Sequence, residues 1–225
     1  MKNLIKISLS LLLCVGVVLN INGQTNKNVI VENNVFKVSY NETLEQPNWV
    51  EYKVRSITKK ADREGMDFYT VKGVYTSNSA DYKNNVYDKG HMAPAAAFTD
   101  SYKNLKTTFS YLNCSLQFDK LNRGAWRELE AAERVWARKF GTLLVRIDLE
   151  FKKGHKVLPT GGHVPSGYYK HIIFPIEKKI KGGVRVRTIA SAVCYYFPNS
   201  IPTKNWKEYQ IECKLHETKH MDIYR

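Results

Sequence analysis

The sequence predicts an α+β fold, a mixed or antiparallel central sheet flanked by helices. Three observations carry it. Short alternating apolar segments recur along the chain, one long stretch has helical periodicity, and glycine clusters separate the C-terminal segments. The chain has 225 residues, 43% of them hydrophobic and 25% charged. That composition excludes a disordered chain, a collagen-like repeat and a multi-span membrane protein. One domain over residues 35–225 is the simplest partition, after a leader at 1–23 and a flexible lead at 24–34.

The elements follow in order. Lys2 and Lys6 open a basic start, and the run from Ile7 to Leu19 is almost wholly apolar. This is the layout of a secretory signal peptide, with cleavage expected after Gly23 and a secreted or periplasmic product that keeps no membrane anchor. The run is short for a spanning helix. Lipidation at Cys14 lacks the small residues expected before it. Val35 to Tyr40 alternates and reads as a strand, as does Trp49 to Val54 after the Gln46-Pro47-Asn48 turn. Lys59 to Asn85 reads mostly as loop, and Thr107 to Leu112 as a short strand. Asn122 to Phe140 is the clearest helix, with Trp126, Leu129, Ala132, Trp136 and Phe140 on one stripe and Asn122 as N-cap. Leu143 to Leu149, Tyr168 to Ile176 and Val184 to Val193 read as strands. Asn205 to Lys214 reads as a short terminal helix.

Lysine and arginine number 35 against 21 acidic residues, a formal charge of +14. An excess of this size points to a polyanionic partner, with nucleic acid first and an anionic surface or polysaccharide as alternatives. Without Cys14, three cysteines remain, so at most one internal disulfide forms. Cys194 with Cys213 is the expected pair, and free buried thiols are the other reading. No Cys/His spacing suits a zinc module.

The densest chemistry lies in Asp88-Lys89-Gly90-His91-Met92-Ala93-Pro94. Pro94 stops ladder hydrogen bonding, which places His91 at a strand end or in a loop. There a histidine with charged neighbours suits general-base work, with Asp88 orienting the imidazole or helping to hold a hydrated metal. A structural histidine in a turn is the competing reading. A second stretch runs Asn113-Cys114-Ser115-Leu116-Gln117, then Leu121-Asn122-Arg123-Gly124-Ala125-Trp126, then Leu129-Glu130 and Arg134. Glu130 and Arg134 share a helix face. An amide oxygen at Asn122 suits a hard cation that keeps its waters, and Glu130 suits holding those waters. A helix cap and a surface ion pair are the bland alternatives.

Together the two stretches resemble the DNA/RNA non-specific endonucleases of the ββα-metal type. Those nucleases carry Asp-Arg-Gly-His with an Ala-Pro, then Asn…Gln, Leu-Asn-x-Gly-x-Trp and Leu-Glu. Here these positions are Asp88 to His91, Asn113 and Gln117, Leu121 to Trp126, and Leu129-Glu130. Trp49 to Tyr52, His163 to Lys170, Phe197-Pro198-Asn199 and Trp206 to Glu212 extend the similarity over about residues 40 to 215. The resemblance implies the following roles. His91 is the general base, and Asn122 is the single direct protein ligand of Mg²⁺, with Mn²⁺ or another hard ion possible. Glu130 holds metal-bound waters, Asn113 and Asp88 support the site, and Arg134 faces the scissile phosphate. Arg63, Lys89 and Gln117 bind substrate. It further implies DNA and RNA as substrates and 5′-phosphate ends. Lys89 departs from the family arginine, losing a bidentate fork. Cys114-Ser115-Leu116 replaces a segment that usually carries a proline. Two other outcomes stay open: a catalytically impaired nucleic-acid binder on the same scaffold, and a phosphodiesterase of small exported esters.

Overall fold

The structure, a computed structural model, describes residues 27–58, 60–178 and 187–213. Seven strands form one antiparallel sheet in the order β1-β2-β3-β6-β7-β8-β9. These are β1 (Asn28–Glu32), β2 (Phe36–Asn41), β3 (Gln46–Val54), β6 (Leu143–Glu150), β7 (Gly167–Lys178), β8 (Arg187–Pro198) and β9 (Gln210–Ile211). A separate two-stranded ribbon joins β4 (Tyr87–His91) to β5 (Cys114–Phe118). The fold is α+β, as expected.

Alternation builds the sheet's inner face. In β6, Leu143, Val145, Ile147 and Leu149 point inward, while Arg146 and Asp148 face the other way. Val50, Tyr52 and Val54 of β3 and Tyr168 and Ile172 of β7 continue the same core. Across it lies α3 (Arg127–Phe140), which buries Leu129 and Ala137 with Trp126 just ahead of it. Gly141 ends α3 at φ 93, a left-handed conformation that glycine adopts without a Cβ penalty. On the outer face Arg146 bridges Glu51 and Asp148 and lies 4.5 Å from the centroid of the Trp49 ring.

Several segments differ from expectation. The 28–32 segment of the expected flexible lead is β1, in full register with β2 from Asn28 opposite Asn41. It is an edge strand with one half-buried face, so its residues are polar enough to read as coil. The expected strand at 107–112 is instead the end of α1 (Tyr102–Thr108) followed by a 3₁₀ turn at Tyr111–Asn113. Ser101 caps α1 by accepting from the Asn104 amide, and this local bond overrides the β-favouring Thr-Thr-Phe run. The terminal helix is only a 3₁₀ turn, Trp206–Tyr209, leading into β9. Residues 1–26 carry the expected leader and Cys14, and 179–186 and 214–225 carry parts of the expected strand from Val184 and of the terminal segment. These lie outside the described residues.

Cys194 and Cys213 form a disulfide, and Cys114 is a buried free thiol. Tyr168 and Tyr195 are buried core residues. Among the described residues no helix is long and apolar enough to cross a membrane.

Candidate active site

The ribbon β4–β5 runs directly into α2 (Asp119–Leu121), a π-helical turn at Asn122–Trp126, and then α3. This strand–strand–helix unit carries most of the sequence-predicted site residues. Asn199, just after β8, fixes the ribbon to the main sheet. Its side chain accepts from the Phe118 amide at 2.7 Å and donates to the Leu116 carbonyl at 2.9 Å.

The close approach at Gly90 is set by the facing strand. A Cβ there would stand 2.4 Å from Oε1 and 2.6 Å from Cβ of Gln117. The second contact is to an atom fixed by the backbone, so it cannot be relieved by a rotamer change. Gly90→Ala is expected to push the two strands apart and cost about 1–3 kcal/mol, as read by denaturant unfolding. An unchanged unfolding midpoint would contradict this packing.

His91 closes β4. Its ring sits between Phe68 and Phe109, at centroid distances of 4.8 and 4.9 Å. Nε2 is enclosed and bonded to no described group. Burial, and then the nearby Arg63 guanidinium, push the imidazole down to about 3. The ring is therefore neutral near pH 7, and protonating it there needs a nearby negative charge, such as a bound phosphate, to offset burial and Arg63. Asn113 fixes the chain as it leaves His91. Its side chain accepts from the Ala93 amide at 2.7 Å and donates to the Ala93 and Thr108 carbonyls, both at 2.9 Å.

Asp88 lies on the opposite face of β4 from His91, as strand alternation dictates. It therefore does not orient the imidazole, one of the two roles its spacing suggested. Instead it receives Nδ2 of Asn122 at 2.9 Å and a two-pronged bond from Arg123, at 2.8 and 2.6 Å. Burial alone would raise the Asp88 carboxyl, but the bonds from Arg123 and Asn122 hold it below the usual range. This arrangement also corrects the expected N-cap: Asn122 ends α2, and its side chain bonds Asp88 instead of capping the long helix. The π-helical turn is a kink between α2 and α3, with Gly124 in a non-helical conformation at φ −106, ψ −116. With Nδ2 committed to Asp88, Oδ1 of Asn122 is left to accept or to ligate.

Glu130 and Arg134 lie one turn apart on α3. Burial pushes Glu130 up to about 7. Glu133 adds to the rise, while Lys170 and Arg134 oppose it. Beneath them is a buried ion pair that sequence reading missed. Lys170 Nζ stands 2.6 Å from Glu133 Oε1, with both side chains fully enclosed. The same ammonium lies 4.2 Å from the Trp126 ring centroid, and Tyr52 donates to Glu133 at 3.2 Å. Arg123 was likewise passed over, because its place in Leu-Asn-x-Gly is a variable one. Phe68 and Phe109 had no signal beyond being aromatic.

The remaining predicted residues are scattered around this centre. Lys89 pairs with the exposed Asp67 at 3.2 Å and lies over the Phe68 and Tyr111 rings. Arg63 is exposed, with its guanidinium 5.9 Å from the Phe109 ring centroid. Gln117 is fully buried against Gly90, and neither amide atom has a partner. That enclosure does not suit the substrate-contact role expected of it. Among the described residues no three His, Cys, Asp or Glu side chains converge as a metal cage. The available donors, the Asn122 amide oxygen and the Glu130 carboxylate, suit a hard ion that keeps most of its waters.

The family described as DNA/RNA non-specific endonuclease matches residues 17–222. Among curated proteins, the human mitochondrial endonuclease G is 27% identical over 168 residues, covering 68% of this chain and 54% of that protein. Nuclease C1 of Cunninghamella echinulata var. echinulata is 27% identical over 163 residues, covering 64% of this chain and 65% of that protein. The chain thus spans about half to two thirds of these relatives' lengths. A solved complex of EndoG with EndoGI, described as showing EndoG inhibition, superimposes with a TM-score of 0.71 at 22% identity. It covers 84% of this chain and 82% of that one.

Proposed function

Because this chain belongs to the DNA/RNA non-specific endonuclease family, we propose that it is a metal-dependent endonuclease cleaving DNA and RNA with little sequence preference. The observation that carries the reading is the Asp88–Asn122 bond, which commits the amide nitrogen and leaves the amide oxygen to ligate, made from a strand that ends in a neutral histidine. His91 takes the proton of the attacking water. Asn122 is the direct protein ligand of a hard divalent ion, Mg²⁺ by preference, and Glu130 holds its waters. Asp88 and Asn113 position Asn122 and His91. Arg134, Arg63 and Lys89 meet phosphate charge. When bound, the ion supplies positive charge where the phosphorane and leaving oxygen become negative. Contacts of this kind go to phosphate and carry no sequence information.

Export is part of the proposal. It rests on the leader pattern at 1–23 and on the Cys194–Cys213 disulfide, which suits an oxidising compartment. The formal charge of +14 favours a polymeric substrate over a small ester.

Incubation with supercoiled plasmid and with RNA, in Mg²⁺ and in EDTA, followed by end-group analysis, tests this reading. Cleavage of both polymers only with the metal, leaving 5′-phosphates, is the expected result. Hydrolysis of small phosphodiesters with both polymers left intact would overturn it.

A pH prediction follows from Glu130. Its carboxylate form is needed to hold metal-bound water, so cleavage falls as pH drops through about 7. His91, at about 3, is already neutral there and contributes nothing to this limb. A bound cation favours the carboxylate, so raising Mg²⁺ moves the limb to lower pH. A limb that ignores Mg²⁺ and survives in Glu130→Gln would contradict the assignment; pH profiles of kcat/KM at two Mg²⁺ concentrations decide it.

A further inference from the structure

Away from the ribbon's catalytic face, the interior holds two carboxylates that no cation among the described residues neutralises. Glu45 lies in the tight turn between β2 and β3, and Asp81 in the 3₁₀ turn Ser79–Tyr82. Glu45 is 5% exposed and Asp81 is fully buried. Oε2 of Glu45 and Oδ1 of Asp81 have no hydrogen-bond partner. Polar groups adjoining them in the chain are engaged. Asp81 Oδ2 accepts from the Asn78 amide at 2.7 Å, and the Ser77 amide donates to Tyr40 Oη at 3.0 Å. Gln46 bonds the Glu45 carbonyl and accepts from the Leu116 amide. Thr76 donates to the Ser77 carbonyl.

The two side chains share one space. A glycine loop closes over both of them. A Cβ on Gly161 would meet Glu45 Oε1 at 2.7 Å, and one on Gly162 would meet Asp81 Oδ1 at 3.2 Å. Burial first, and then Asp81 beside it, push Glu45 up to about 7, against a hydrogen bond from Tyr75. Although the chain is rich in lysine and arginine, no described Lys, Arg or His forms an ion pair with either carboxylate. Glu45 also holds a left-handed backbone, φ 54, which is unfavourable for a residue with a Cβ.

We propose that Glu45 and Asp81 form a second, structural cation site for a calcium-like hard divalent ion. Charge decides between the possible occupants. Two buried carboxylates carry two negative charges, and unneutralised buried charge is not tolerated. A single shared proton leaves one charge unpaired; a divalent ion leaves none. All-oxygen donors select a hard cation, and calcium accepts an irregular shell completed by peptide carbonyls and water better than magnesium does. The ion would tie together three separate segments, the β2–β3 turn, the Ser79–Tyr82 turn and the Gly161–Gly162 loop. All three flank the ribbon, so the site acts on stability rather than on chemistry.

Terbium tests it. Tb³⁺ replaces Ca²⁺, and nearby tyrosine rings, here Tyr40, Tyr75 and Tyr82, sensitise its emission. The whole chain with Asn122→Ala removes the proposed catalytic ligand. Saturable, tyrosine-sensitised binding of one ion per chain is expected there, displaced by Ca²⁺, with Ca²⁺ also raising Tm. Adding Glu45→Gln with Asp81→Asn should abolish the emission and the Tm response. These near-isosteric changes remove buried charge, so the variant is expected to fold, and its circular dichroism checks that. Absence of saturable emission in Asn122→Ala, or emission undiminished in the triple variant, overturns the site. So does a folded chain whose Tm ignores Ca²⁺ but rises on acidification, which would mark a carboxyl–carboxylate pair sharing a proton.

Discussion

His91→Ala is expected to lose DNA and RNA cleavage by about 10²–10⁴-fold or more while keeping its fold and its salt-sensitive affinity for DNA. The argument is positional. The imidazole ends β4, is gripped between Phe68 and Phe109, and leads into a turn that Asn113 pins through three side-chain bonds. Alanine leaves all of those backbone contacts in place. It removes only a neutral base and opens a small apolar space between two phenyl rings. Binding rests on lysine and arginine charge, which the substitution does not touch. Cleavage by the purified variant at the parent rate, compared with parent from the same preparation, would refute His91 as the base. Loss of DNA binding along with cleavage would show that the residue serves architecture instead.

The second large effect lies under the site. Lys170→Met is expected to destabilise the chain by about 3–5 kcal/mol, because it strands the Glu133 carboxylate in the core. Joining it to Glu133→Leu should recover much of the loss, since the unpaired charge then disappears. Recovery should stop short of complete, because the Tyr52 hydroxyl loses its acceptor. Urea unfolding of parent, single and double variants measures this. Equal losses in the single and double variants would show that packing, not charge pairing, is what Lys170 contributes. The same substitution bears on chemistry: Lys170 is the first of the groups that lower Glu130, so removing it raises Glu130 and moves the acid limb of cleavage to higher pH.

The helix and the motif were legible because both are periodic or dense. Of the expected stripe, Trp126 and Leu129 are buried, Ala132 and Trp136 are half-buried and Phe140 is exposed, because the buried face turns toward Glu133 and Ala137; the glycine–histidine step fell at a strand end where Pro94 required it. The Cys194–Cys213 pairing was readable because the two residues lie in neighbouring C-terminal segments. Other features had no local signature. β5, Cys114 to Phe118, alternates over only five residues, and its polar Ser115 and Gln117 are as buried as Leu116, so the pattern does not show what the strand buries. A lysine at 170 reads as surface, and only the distant Glu133 makes its burial possible. Asp88 looked like a partner for His91 because the two are close in sequence, yet strand alternation turns it to Asn122 and Arg123 on the helix. Glu45 and Asp81 are far apart in sequence and meet only once the turns fold together.

The most direct test is a Mg²⁺ titration of plasmid cleavage by parent and by Asn122→Ala, purified side by side. Saturable, EDTA-sensitive cleavage by the parent, with none by Asn122→Ala at the parent's saturating Mg²⁺, is the expected result. Cleavage by Asn122→Ala at the parent rate with the same Mg²⁺ dependence would contradict a metal held through the ribbon-to-helix turn.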